Sequence, residues 1–543
     1  MASKGFGKPA AIPMRAATRF MRAALKHIEE AWPNPEKAYP FFHSHLAKLN
    51  ESLLEALPLV FTKFTADKQP EYVAALFLDF GALIGQLAWG NRALNLELSI
   101  TASQLALKVL NHEAFPEKWA MAQNNLGNAY CDRIQGDRAE NLEKAIAAYE
   151  LALQIHTRKS FPKEWALTQN NLGGAYRARI QGDRAENLEK AIAAYELALQ
   201  GYTRETFPEK WALTQNNLGN AYCDRIRGDR ADNLEKGIEA YELALQVRTS
   251  NASPGDWALT QNNLGNAYRD RIQGDQVENL EKAIKSCELA AQVFRQETLP
   301  PNWAKNQGDL AATLMKRAAL TQNANDLDTA ITLLQAALEV AVPGSPDSID
   351  CQYRLGNALS CRYEHCQNPD DLQQALKAYQ TALAAISPEH YDRKQIWQAL
   401  PTTQSILGSR LVKEGHWQEG LQLLLNSVNQ LRTGDDLLAH ANALFQTGRA
   451  HETLSDWDNA RLYYRDALRL YEHLKDQAGI AKSRAGLGGV LVSQGYLQKG
   501  TAELAAAREL YHQLQKSDRA AEVDSLYQAA QRAMERQRSE AIA

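Results

Sequence analysis

The phrase QNNLGNAY stands at 123–130, returns as QNNLGGAY at 169–176, and recurs unchanged at 215–222 and 261–268. Each copy places two or three asparagines in a segment whose apolar residues keep a helical spacing. A carboxamide offers two donors and an acceptor, so a row of them can bond peptide groups in either sense. Asparagine is also a mediocre helix former and costly to bury. The amides therefore either serve the fold or face a ligand. Other residues with chemical potential are sparse. Cys361 and His365 lie four apart with Cys366 beside them, but a zinc site needs a fourth ligand and a tighter pattern. GLGG at 486–489 lacks the last glycine of a dinucleotide fingerprint, and no HExxH, GxSxG or P-loop pattern occurs. Neither intrinsic enzymatic activity nor a cofactor or metal is expected.

The elements that carry the phrase repeat as well. Trp119, Trp165, Trp211, Trp257 and Trp303 are 46 residues apart every time, and the units 119–164 and 165–210 are about three-quarters identical. A fixed period of this size means one supersecondary unit stacked on copies of itself. Each unit divides into two helices. The first runs from the tryptophan to a glycine (Gly136, Gly182, Gly228 or Gly274), and an aspartate opens the second. Asp137 with Glu140 has the spacing of a capped helix start, and Glu140 with Lys144 supports an exposed helix face. Leu142, Ala145, Ile146, Tyr149, Ala152 and Leu153 form the apolar face of that second helix. The tryptophans could stack sugars or bases, but at a fixed place near a helix start they fit the seam between units better.

Composition narrows the class. A net charge of −4 on 543 residues gives no basic footprint for nucleic acid. Six cysteines scattered through helical segments read as reduced thiols of a cytoplasmic protein. The longest apolar run, at 72–90, contains Asp79 and Gln86 and keeps the repeat phase, so it reads as a buried repeat helix and membrane insertion is not expected. Lys4, Lys8, Arg15, Arg19, Arg22 and Lys26 precede any acid. They fit an ordinary basic first helix better than a transit peptide.

Leu126, Gly127 and Tyr130, followed by Ala145, Tyr149 and Ala152, resemble the tetratricopeptide repeat pattern, as do Leu172, Gly173, Tyr176, Ala191, Tyr195 and Ala198 in the next unit. The resemblance covers roughly 70–515. It departs in length, with extra residues in every unit, and Gln123 stands where that family has tryptophan. The long unit is similar to kinesin-light-chain and Leu-Gly-Asn scaffold repeats, and to cyanobacterial arrays that carry a caspase-like CHAT domain, for which the sequence after the last repeat leaves no room. The resemblance implies an all-α fold, a right-handed superhelical solenoid of antiparallel helix pairs. Its expected parts are a flexible start at 1–13, a helical cap at 14–70, 46-residue repeats at 71–348, a divergent repeat and connector at 349–401, shorter repeats at 402–516, and a capping helix and tail at 517–543.

The resemblance also implies a role for the amides. In that family the first helix of each unit lines the concave groove. With Leu126 as the reference position, Asn124 and Asn128 fall on that face, followed by Asn170 (with Gly174), Asn216 and Asn220, and Asn262 and Asn266. Asn125, Asn171, Asn217 and Asn263 point elsewhere and are expected to bond a neighbouring helix or loop. The groove amides are expected to bind a protein or peptide partner and to be expendable for folding; the alternative is that they bond each other or water along an open face. The expected function is a non-catalytic scaffold or adaptor. The alternative is a sensor subunit controlling a separately encoded effector, such as a caspase-like protease.

Overall fold

The computed structural model describes residues 14–31, 34–386 and 393–542. The expected flexible start at 1–13 and residues 387–392 of the connector lie outside the described residues. The chain divides into two compact units, 1–279 and 280–543. Every regular element among the described residues is helical, with no strand.

The first unit begins with α1 (Met14–Ala31), the short α2 (Tyr39–Ser44), α3 (Glu51–Asp67), α4 (Pro70–Gln86) and α5 (Arg92–Leu107). These share one core that includes Met21, Ile28, Phe42, Leu53, Phe77 and Phe80. Arg15, Arg19, Arg22 and Lys26 stay on the exposed face of α1. The repeated pairs follow: α6 (Pro116–Asp132) with α7 (Arg138–Leu153), α8 (Pro162–Ala178) with α9 (Arg184–Gly201), and α10 (Pro208–Asp224) with α11 (Arg230–Leu245). Then come α12 (Pro254–Asp270) and α13 (Gln276–Ala291), in which the boundary between units falls. From α3 to α12 each helix packs on the next, and α6, α8, α10 and α12 also touch in turn.

Each first helix starts on a proline three residues before its tryptophan, where the missing N–H costs nothing. It ends at Asp132, Ala178, Asp224 or Asp270, four residues before the glycine that the sequence marked as its stop. The reason is the arginine that follows. The Arg133 backbone leaves the helix (φ −55, ψ 127) while its guanidinium grips Glu97 of the preceding helix pair through Nε and Nη2 at 2.7 and 2.9 Å. Arg179–Glu143, Arg225–Glu189 and Arg271–Glu235 repeat the clamp. Gly136 then turns the chain at φ +80, which suits glycine, and Asp137 caps α7 by accepting from the Glu140 N–H at 2.7 Å. The Glu140–Lys144 pair forms at 2.7 Å. Trp165 is buried against Leu153, Tyr202, Phe207 and Trp211, while the other four indoles of the ladder are half-buried.

The second unit continues with α14 (Pro300–Thr321), α15 (Ala324–Val340), α16 (Pro346–Cys366), α17 (Pro369–Ala385), α18 (Arg393–Lys413) and α19 (Trp417–Leu431). It ends with α20 (Leu437–Thr453), α21 (Trp457–Leu474), α22 (Gln477–Ser493), α23 (Leu497–Gln513) and α24 (Ser517–Ile542). GLGG lies inside α22, where a Cβ on Gly486 would stand 2.6 Å from the Tyr464 ring, so the packing explains that glycine.

Helix pairing depends on one close approach. A Cβ built on Gly127 would stand 2.5 Å from the Tyr149 ring, on Gly173 2.8 Å from Tyr195, and on Gly219 2.7 Å from Tyr241. In an exposed helix Gly→Ala stabilises by about 1 kcal/mol. Here the tyrosine is buried on every side, and overpacking costs about 1–3 kcal/mol. Gly219→Ala is therefore expected to lower the midpoint of urea unfolding; a raised midpoint would show that the rings can give way.

Candidate functional site: an amide-lined cleft

A cleft of about 680 Å³ in the first unit runs over α6, α8 and α10, reaching Gln86 of α4 at one end. Asn124, Asn125, Asn128, Asn170, Asn171, Gly174 and Asn217 line it. The two kinds of asparagine do different work. Asn124, Asn170, Asn216 and Asn262 are buried, at 5%, 8%, 3% and 2% exposure. Asn128 is exposed, and Asn220 and Asn266 are half-buried.

The first three buried amides are joined to the following repeat. Asn171 Nδ2 donates to Asn124 Oδ1 at 3.3 Å, Asn217 Nδ2 to Asn170 Oδ1 at 3.2 Å, and Asn263 Nδ2 to Asn216 Oδ1 at 3.1 Å. Thr214 adds a second donor to Asn170 at 3.3 Å. Asn124, Asn170 and Asn216 thus bond amides of the next repeat, as in the alternative named for them, but they are buried and not on an open face. The next first helix lies over Asn124, Asn170 and Asn216, and Asn262 is buried like them. Asn125, Asn171 and Asn217, expected to point away from the groove, line the cleft, and Asn171 and Asn217 bond backwards as well.

The more exposed amides are half engaged. Asn128 Oδ1 accepts from the Tyr149 hydroxyl at 2.7 Å and from Asn171 Nδ2 at 3.0 Å. Asn220 Oδ1 accepts from the Tyr241 hydroxyl at 2.8 Å. The Nδ2 groups of these two have no protein partner among the described residues. Asn266 accepts from Arg269 Nη1 at 2.8 Å. Asn128 and Asn220 thus lend their acceptors to the fold; Asn128 lines the cleft, whereas Asn216, Asn220, Asn262 and Asn266 are not part of its lining.

Charges beside them are mostly matched. Arg92 meets Asp132 at 2.7 Å and Arg177 meets Asp224 at 2.8 Å. Burial works against the Arg177 guanidinium, but the charge and hydrogen bond of Asp224 outweigh it and its pKa is raised. Burial also raises the Cys131 thiol, and pushes Cys223 up to about 11, so neither is a nucleophile near neutral pH. Of the charged residues lining the cleft, Asp132 is paired with Arg92, while Arg138 and Lys210 make no ion pair among the described residues.

The remaining candidates resolve locally. His365 uses both ring nitrogens, on the Cys361 carbonyl at 2.9 Å and Gln322 at 3.1 Å. No group of three or more possible metal ligands occurs among the described residues. No helix among them is long and apolar enough to cross a membrane.

Residues 119–157, 165–201 and 211–248 match the sequence model of the tetratricopeptide repeat family. No curated protein matches the chain. Among solved structures, the signal transduction ATPase with a tetratricopeptide repeat sensor from Pyrococcus horikoshii is 12% identical over 96% of this chain and 75% of its own, with a TM-score of 0.45. YrrB, a TPR protein described as having an unusual peptide-binding site, is 18% identical over 45% of this chain and 95% of its own, at a TM-score of 0.26. The TPR2AB domain of yeast Sti1, solved as a complex with pHSP90, is 16% identical over 59% and 98%, at 0.22.

Two outcomes follow from the burial. Asn170→Ala leaves the Asn217 amide without its acceptor, while the Thr214 hydroxyl keeps the Lys210 carbonyl at 2.8 Å, and should cost about 1–3 kcal/mol in urea unfolding; no loss would return Asn170 to the expendable class. Asp79 stands 46 residues before Asn125, and burial pushes its carboxyl up to about 6, against the pull of Lys118. A carboxyl with a higher pKa folded than unfolded holds its proton better in the folded state, so its presence costs stability as pH rises from about 4 through 6. Asp79→Asn should therefore stabilise by about 1–3 kcal/mol at pH 7 and by little at pH 4; an equal gain at both would exclude the ionisation as the cause.

Proposed function

The chain carries tetratricopeptide repeats over 119–157, 165–201 and 211–248, and from that premise we propose that it is a non-catalytic scaffold or adaptor. Its first unit holds an extended segment of a partner polypeptide in the amide-lined cleft. One observation carries this reading: Asn128 and Asn220 have their oxygens taken by tyrosines and their N–H groups unclaimed. Unclaimed donors suit the one group that every polypeptide repeats, its backbone carbonyl. The charged residues around the cleft are of both signs and favour no ligand of single sign. Specificity then resides in the few side chains between the rungs.

Asn→Asp is the discriminating substitution. It keeps an acceptor for the tyrosine and removes the donors, so folding should be nearly unchanged. A partner isolated with the wild-type protein should bind Asn128→Asp with Asn220→Asp at least tenfold more weakly, because two acceptors then face each other. Undiminished affinity, with melting equal to wild type, would exclude these amides from the interface.

A further inference from the structure

We propose that Gly174 marks a subsite of this cleft that takes one amide-type carbonyl oxygen from the bound polypeptide; the inference rests on the groove reading above. The neighbouring rungs define what the subsite lacks. In the preceding repeat, Asn128 Oδ1 takes two donors, the Tyr149 hydroxyl at 2.7 Å and Asn171 Nδ2 at 3.0 Å. In the following repeat, Asn220 Oδ1 takes the Tyr241 hydroxyl at 2.8 Å. Asn357 and Tyr379 of the second unit make the same bond at 2.7 Å. At Gly174 the acceptor side chain is missing from the sequence, yet the tyrosine donor common to all these rungs remains, as Tyr195.

Tyr195 keeps its place over Gly173 and is 2% exposed. Its hydroxyl lies 3.7 Å from where a Cβ of residue 174 would stand, and it has no hydrogen-bond partner among the described residues. Asn217, the counterpart of Asn171, donates to Asn170 alone. Asn128, Gly174 and Asn217 all line the same cleft, so the place left open at Gly174 is reached from it. The absence of a side chain also lets a ligand backbone come close. Arg177, one turn further along α8, is paired with Asp224, so the charge beside the subsite is matched and a neutral carbonyl fits better than a carboxylate. The oxygen can come from the main chain or from an Asn or Gln side chain.

The test has a part that needs no ligand. Alanine is the better helix former, so Gly174→Ala should melt above Gly174→Asn unless the new Oδ1 meets waiting donors. The Asn variant is expected to melt higher, and the difference to shrink in a Tyr195→Phe background; an Asn variant melting at or below the Ala variant overturns the subsite. For binding, the probes are fluorescent dodecapeptides selected on the wild-type protein from a random display library. Gly174→Asn should weaken Kd by about tenfold or more, and by more than Gly174→Ala does, and Tyr195→Phe by roughly three- to tenfold. Unchanged Kd in Gly174→Asn and Tyr195→Phe, with loss in Asn128→Asp, overturns the subsite and leaves the groove reading standing. Failure to select any peptide, or no loss in any of these variants, overturns both. Alanine scanning of the peptide separates the sources: a side-chain oxygen loses the same factor at one position, a main-chain oxygen at none.

Discussion

The contact between a glycine of the first helix and a tyrosine of the second sets the geometry on which the rest of the first three long repeats depends. With no Cβ at Gly127, Gly173 or Gly219, the aromatic ring lies against the backbone of the facing helix, and the pair closes to a distance that no other residue permits. The ring buries a large apolar area and directs its polar tip past the glycine. That tip reaches the next residue of the first helix, Asn128 or Asn220. One packing contact therefore seals the helix pair and fixes the orientation of an amide at the cleft. A residue orients a ligand only if its own rotamer is held, and here the core of the repeat holds it.

Between repeats the linkage is polar and equally regular. The Arg133–Glu97 clamp and its three successors join each inner loop to the helix pair before it, and the buried amides join each first helix to the next. In a stacked array, stability is a sum of unit and nearest-neighbour terms, so these links are where a repeat gains support from its neighbours. The extra residues of the long repeat supply the clamp, since the arginine leaves the helix to reach its glutamate. The loop is part of the interface between repeats.

This division explains what was legible in the sequence. The period, the helix pairs, the aspartate caps and the Glu140–Lys144 pair followed from spacing and local chemistry, which act within a few residues. The early end of the first helix did not, because Arg133 answers to Glu97, 36 residues away. The burial of Asn124, Asn170, Asn216 and Asn262 was also hidden. Their place on the groove-facing side of one helix is a property of that helix, whereas their exposure depends on how closely the neighbouring elements lie over them. The alternation was visible in one respect. Asn170 is followed by Gly174 where the other copies have a second asparagine, and only the position of Tyr195 gave that glycine a consequence.

The second unit shows by contrast what an asparagine at these positions does that a charge could not. Arg317 and Arg362 each make a two-pronged bond to an aspartate of their own helix pair, Asp326 and Asp371. Arg354 is held by Asp309 and Asp350. Lys482 lies over the rings of Phe445 and Tyr471 and donates to Asn442 at 2.9 Å. A buried charge requires a partner, because leaving it unpaired costs about 3–5 kcal/mol. Such groups fix the pairing of helices, and their bonding capacity is taken up by the chain itself. A carboxamide carries no such obligation and has two chemically different ends. At Asn128 the oxygen satisfies a buried tyrosine and a neighbouring amide while the nitrogen stays available; an aspartate could do the first and offer no donor, and a serine is too short to divide the two tasks between separate atoms.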